Sequence, residues 1–230
     1  MRGSLFQFLV CNLLFVAIAL ADTEIINFDA VTSKHVDVAQ SLRWFQLSEE
    51  PQNFHVLPAP LGTLPTDVCV NHNYRASGPC PHELWVMLDL DRPEWASFSK
   101  FTLRISWPAN FPTQFKLQTY TPLQATSLLE ERSVVAGNGS TTRTQYARIR
   151  LVDTGVRTPP IIDELPQKPV PFTVVLEPLH FGVLPKSVIP IIVFIIPVVL
   201  VSAYVVAPMV NTRLAAVAKL AREENTKKQL

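Results

Sequence analysis

Glycine and cysteine are scarce in this 230-residue chain, at 7 and 3 copies, and neither sign of charge dominates, the formal net charge being +1. So few glycines leave no Gly-rich loop to cradle a phosphate and no long flexible linker. The near-neutral balance leaves no basic surface of the kind that selects nucleic acid, and no acidic tail. Also missing are a G-x-S-x-G nucleophile elbow, a recognisable Cys–His pair and an EF-hand loop. His35, His55, His72, His82 and His180 are scattered without a partner pattern. No cofactor motif stands out. An enzyme built from scattered residues stays open as a third reading of the function.

What the chain does have is proline, 20 residues of it, and a hydrophobic fraction of 48% concentrated in a block at each end. Abundant proline suits short extended segments with rigid connections better than long helices. In the N-terminal block, Arg2 precedes a mostly apolar run, Leu5 to Leu20, and then Ala19-Leu20-Ala21. That pattern reads as a secretory signal cleaved after residue 21, with an uncleaved signal anchor as the alternative. Cleavage would remove Cys11 and leave Cys69 and Cys80, which an oxidising compartment would join as a disulfide.

The C-terminal block, Val188 to Val210, is 23 residues without a charge. At a rise of about 1.5 Å per residue it reaches about 34 Å, enough to cross a hydrocarbon core of about 30 Å. Pro190, Pro197 and Pro208 lie in it, and Pro197 is expected to kink the helix. A kinked span can pack against a second helix in lipid, or simply be tolerated there. Residues 211–230 carry five Lys and Arg against two Glu, which places this tail in the cytosol by the positive-inside rule. The expected topology is single-pass type I, with the N-terminus luminal.

The chain ends Lys227-Lys228-Gln229-Leu230. This resembles the dilysine retrieval signal of endoplasmic reticulum (ER) membrane proteins, which implies residence in the ER membrane and a coat-type retrieval machinery as partner of the tail. Two adjacent lysines in a basic tail can also arise by chance.

Between the blocks, period-two patterns dominate. Phe101, Leu103, Ile105 and Trp107 alternate with polar residues; so do Ala147, Ile149 and Leu151 with Arg148 and Arg150, and Phe172, Val174 and Leu176 with their neighbours. Residues 83–90 and 114–120 also read as strands, and 122–133 as a short helix. Residues 51–81 are proline-rich and are expected to form a long loop pinned by Cys69–Cys80. The fold class that follows is mainly β: a luminal β-sandwich-like domain over residues 22–186, close to the membrane, plus one C-terminal transmembrane helix.

Several residues invite a functional reading. Asn138-Gly139-Ser140 is an N-glycosylation sequon in a Gly/Ser/Thr-rich loop. Cys69, His72, Cys80 and His82 could in principle hold zinc, but the spacing matches no ordinary finger and the compartment favours the disulfide. Asp89, Asp91 and Glu94 invite a calcium reading; solvated carboxylates paired with Arg92 explain them as well. Trp107 and Phe111, each followed by proline, could form a partner loop or close the end of a core. No metal or cofactor is expected.

The layout is similar to that of single-span accessory subunits of ER membrane machines, such as translocon-associated proteins, subunits of the membrane-protein insertase and the stabilising subunit of the first GPI mannosyltransferase. The likeness implies a non-catalytic or chaperone-like subunit with an integral ER membrane partner. A cargo or glycan receptor cycling between ER and Golgi is the alternative.

Overall fold

The protein is described here from a computed structural model, which covers residues 21–36, 38, 44–129, 140–156 and 168–228. All of the signal-type segment 1–21 except Ala21 lies outside these, as do Asn138, Gln229 and Leu230. The chain divides into a β-rich unit ending at Gly182 and a helical unit beginning at Val183.

In chain order the β-rich unit holds β1 (Ala21–Asp29), β2 (Ser33–Lys34), β3 (Phe45–Leu47), β4 (Gln52–Val56), a short helix α1 (Tyr74–Ser77) and β5 (Glu83–Leu88). There follow β6 (Lys100–Pro108), β7 (Thr113–Tyr120), α2 (Pro122–Leu128), β8 (Thr141–Thr142), β9 (Gln145–Asp153) and β10 (Val170–His180). Within the β-rich unit one sheet runs β1-β6-β10-β4, each of these three pairings being antiparallel. A second runs β3-β5-β9-β7, antiparallel except for β3 on β5. The two-residue strands β2 and β8 pair separately.

The alternation read in the sequence sets the inner faces. Phe101, Leu103, Ile105 and Trp107 of β6, with Phe172, Val174 and Leu176 of β10, share one buried cluster with Val86, Leu88, Phe115, Leu117, Ala147, Ile149 and Leu151 of the second sheet. Because successive side chains of a strand point to opposite faces, one alternating half of each strand supplies this core. Trp107 packs on Phe115 at 4.3 Å between ring centres, and Phe115 on Phe172 at 5.2 Å, joining one sheet to the other.

One expectation needs correction. The segment 51–81 is not loop throughout, because β4 occupies Gln52–Val56 and puts Phe54 and Val56 into the core. The prolines at 51 and 58 bound this strand rather than exclude it, as edge strands tolerate proline at their ends. Arg148 and Arg150, opposite the apolar residues of β9, lie on a face that is covered rather than solvated, and only 7% and 4% of them is exposed.

The helix α2 covers Pro122–Leu128 and starts on a reciprocal cap. The Thr121 hydroxyl accepts from the Gln124 amide, and the Gln124 side chain accepts from the Thr121 amide. Proline in the first turn costs it nothing, since that N–H would lack an intrahelical partner anyway.

In the helical unit a 3-10 turn, Lys186–Val188, leads into α3 (Ile189–Val201). A π-helical turn, Ser202–Val206, follows, and then α4 (Ala207–Lys228). Lys186–Lys219 is long and apolar enough to cross a membrane, with mean hydropathy 2.8 and none of its apolar window buried. Pro197 lies within α3, where its missing N–H leaves the Val193 carbonyl without its usual donor. The π turn immediately precedes Pro208. There the Ala207 amide bonds back to the Ser202 carbonyl, five residues earlier. A proline at 208 would clash with the Tyr204 carbonyl in a regular helix, and a wider turn relieves that contact. Beyond Val210 the helix continues without a break through Lys227 and Lys228.

Candidate functional site

Among the described residues, the richest side-chain chemistry is gathered on the outer face of the second sheet. Register explains how. Glu83 lies opposite Arg150, Trp85 opposite Arg148 and Met87 opposite Tyr146, while β7 places Lys116 opposite Arg150, Gln118 opposite Arg148 and Tyr120 opposite Tyr146. Three adjacent strands therefore present carboxylate, guanidinium, amide and aromatic groups side by side.

Glu83 is the hub. Its Oε2 accepts from Arg148 Nε at 2.6 Å, and its Oε1 accepts from the Tyr74 hydroxyl at 2.5 Å and from Trp85 Nε1 at 2.9 Å. The ion pair is buried, with 8% of the Arg148 side chain and 1% of the Glu83 side chain exposed. Arg148 also donates through Nη2 to the Tyr74 oxygen at 3.2 Å and, more weakly, to the carbonyls of Val68 and Cys69. Its guanidinium lies over the Trp85 ring at 5.6 Å. Burial works against the charged guanidinium most strongly, but the Glu83 carboxylate, through its charge and its hydrogen bond, outweighs it together with Tyr74 and Tyr120, and the Arg148 pKa rises. Burial also pushes the Tyr74 phenol well above its ordinary value, and its hydrogen bond to Glu83 adds to the shift. Tyr74 is thus held as a neutral donor.

Beside this polar centre sits an aromatic one. Trp44 stacks on Trp85 at 5.1 Å and meets Tyr146 edge-on at 5.3 Å, while Trp85 also contacts Tyr120 at 5.6 Å. Val38, Ala125 and Leu129 complete the cluster, so α2 serves as part of its cover.

The disulfide Cys69–Cys80 is formed, with the two Cα atoms 6.2 Å apart. It staples the segment whose carbonyls receive Arg148. Cys69 itself sits at φ 59°, a left-handed conformation that non-glycine residues seldom adopt. Replacing both cysteines by serine is expected to lower stability by about 2–3 kcal/mol on loop entropy alone. The measurement is the unfolding midpoint followed by tryptophan fluorescence, and no change would show that the bond is not what holds this cover. All four tryptophans, at 44, 85, 95 and 107, belong to the β-rich unit, so their fluorescence reports on it selectively.

The other residues singled out in the sequence fall as follows. His72 Nε2 lies 2.8 Å from the Gly78 carbonyl and His82 Nδ1 3.1 Å from the Leu57 carbonyl, so both rings bind backbone. Asp91 accepts from the Thr142 hydroxyl and the Arg143 amide, and Asp89 accepts from Gln46. Arg92 approaches Asp89 at 3.8 Å and Glu94 at 4.0 Å. Among the described residues no three or more His, Cys, Asp or Glu side chains are close enough to hold a metal. Trp107 is 7% exposed and belongs to the core, with Phe111 packed partly against it. Lys227 and Lys228 lie in the last turn of α4.

Sequence reasoning missed the Glu83–Arg148–Tyr74 centre. The alternation on β9 marked Arg148 and Arg150 as one face, but nothing local told that the segment ending in Cys80 would fold over it.

The molecule is, in class, a mainly β unit carrying one C-terminal apolar helix able to cross a membrane. No protein-family model, curated protein or solved structure matches it.

Proposed function

We propose that the protein is a non-catalytic accessory subunit of an ER membrane complex, with a luminal β-sandwich that binds a partner protein and a transmembrane helix that packs beside a larger membrane subunit. The observation that carries this reading is where the polar chemistry is spent. Glu83, Arg148, Tyr74 and Trp85 bond to one another and hold a covering segment in place, which is how a rigid scaffold is built. The long apolar helix, none of it buried within the chain, supplies the second support. Address rests on the KKQL end, together with the signal-type leader and the charge of the tail.

The test is affinity purification of the full-length protein in mild detergent, with mass spectrometry of stoichiometric partners. One ER membrane protein at a near one-to-one ratio is the expected result. A monomer, or only passing secretory cargo, would overturn the subunit reading in favour of the cycling receptor. In parallel, Lys227→Ala with Lys228→Ala is expected to let the protein leave the ER. Unchanged retention would show that the lysines are not its address.

A further inference from the structure

The turn at the end of β10 holds an aromatic residue that packing does not explain. Phe181 is 96% exposed, more than any other large apolar side chain among the described residues, those of the bare apolar helix included. Its backbone lies at φ 55°, in the left-handed region that glycine, asparagine and aspartate enter readily and a bulky aromatic residue does not. A small polar residue would suit such a turn. A phenyl ring there costs conformational energy and, in water, leaves its apolar surface bare as well.

The support beneath the ring is well tied. The Gly182 amide bonds to the Leu179 carbonyl at 3.2 Å, and Gly182, at φ 75°, is left-handed in its turn. The His180 ring meets Phe98 edge-on at 5.0 Å. The alkyl stem of Lys100 runs past Gly182, where an added Cβ would lie 3.5 Å from the Lys100 Cδ.

What Phe181 can reach is set by the chain. Four residues, Gly182 to Pro185, separate it from Lys186, where the segment long and apolar enough to cross a membrane begins. Five extended steps cover at most about 17 Å. The headgroup layer on each side of a hydrocarbon core is about 5–8 Å deep, so the tether brings the ring near that layer without forcing it in.

We propose that the Phe181 turn is a lipid anchor. The ring enters the headgroup layer of the leaflet where the span begins and gives the β-rich unit a second attachment to the bilayer. Entry shelters the apolar surface that water leaves bare. Lys100 suits the same place, because a lysine can lay its stem on an apolar surface and keep its ammonium among water and phosphates. Asp29 stands opposite Lys100 in the register, so this pair carries no net charge and the anchor is apolar rather than electrostatic. The inference rests on the helix crossing a bilayer and is independent of the subunit reading above.

The experiment uses the purified full-length protein in vesicles of phosphatidylcholine, a lipid without net charge, so that lipid is the only partner on offer. Phe181→Cys, in a Cys11→Ser background, carries a nitroxide. Its collisions with oxygen, which concentrates in lipid, are compared with those of a water-soluble nickel chelate. Val156→Cys, at a position 81% exposed, is the water reference, and Tyr204→Cys, in the apolar helix, is the lipid reference. The expected result is a severalfold lower nickel-to-oxygen collision ratio at 181 than at 156. Equal ratios at 181 and 156 would overturn the anchor and leave the ring to a protein partner. If 204 itself read as water, the span would fail and the anchor with it. A second label, at Val183→Cys, follows the neighbouring chain with the phenyl ring in place. Phe181→Asp should raise the ratio at 183, and Phe181→Trp should keep it low. Aspartate enters the left-handed region more readily than phenylalanine, so Phe181→Asp should fold, as its tryptophan fluorescence would show. An unchanged ratio at 183 in folded Phe181→Asp overturns the proposal even where the label at 181 lies in lipid.

Discussion

Glu83→Ala is expected to be among the most damaging single substitutions in the β-rich unit, at about 3–5 kcal/mol. The change removes one carboxylate and strands three groups. Arg148, whose side chain is 8% exposed, keeps a buried charge without a counter-ion. Tyr74 and Trp85 lose the acceptor they share. On a unit of this size the loss corresponds to a fall in melting temperature on the order of 10 °C. A paired replacement, Glu83→Met with Arg148→Met, should cost clearly less than Glu83→Ala, because it removes the charge together with its partner. Tryptophan fluorescence during thermal unfolding measures both. If Glu83→Ala came within about 1 kcal/mol of the unaltered protein, the pair would have to be dispensable in the folded state, against the geometry.

Trp95→Ala comes next, at about 3–5 kcal/mol for deleting a buried aromatic side chain. Trp95 is fully buried. It sits in the turn Pro93–Trp95, donates from Nε1 to Glu49 at 3.0 Å and meets Phe101 edge-on at 5.5 Å. Arg143 fastens the same turn by donating to the carbonyls of Trp95, Ala96 and Phe98. A cavity here cannot be filled easily, because the surrounding backbone is tied in place. Trp95→Phe should cost less, about 1–2 kcal/mol, since it keeps most of the apolar volume and gives up the bond to Glu49. Denaturant midpoints for the two variants give the comparison, and equal midpoints would show that ring volume is not what matters at this position.

The sequence makes some elements plain and hides others for reasons that are physical. Apolar and polar residues alternate along most of β6 and through the middle of β9, and Phe172, Val174 and Leu176 recur at every second position of β10, so the core face can be written down before any coordinates exist. β1 escapes that reading because it is an edge strand: Ile26 and Phe28 touch the core, while Asp22, Glu24 and Asp29 fill much of the rest. β4 is short and bracketed by prolines, although the spacing of Phe54 and Val56 was a usable signal. The short helix α2 was legible, and its cap was written in Thr121 and Gln124.

The polar centre was harder for a different reason. Alternation along β9 identifies Arg148 and Arg150 as neighbours on one face but says nothing of what lies above them. Their cover comes from residues about eighty positions away, through the backbone carbonyls of Thr66, Val68 and Cys69. Backbone acceptors leave no mark in side-chain composition. Only the cysteine pair hinted that the segment was anchored.

The wide turn at Ser202–Val206 has a consequence for anything that packs along the helix. A π turn spends one more residue than the α turn it replaces, and one residue is about 100° of rotation. A stripe of side chains followed down from Ile189 therefore shifts to a new bearing below Ala207. A neighbouring helix that follows one seam above this point would meet a different set of residues below it. The apolar rod thus offers two separately oriented gripping surfaces, divided just above Pro208, and a companion that uses both must bend or wrap around it.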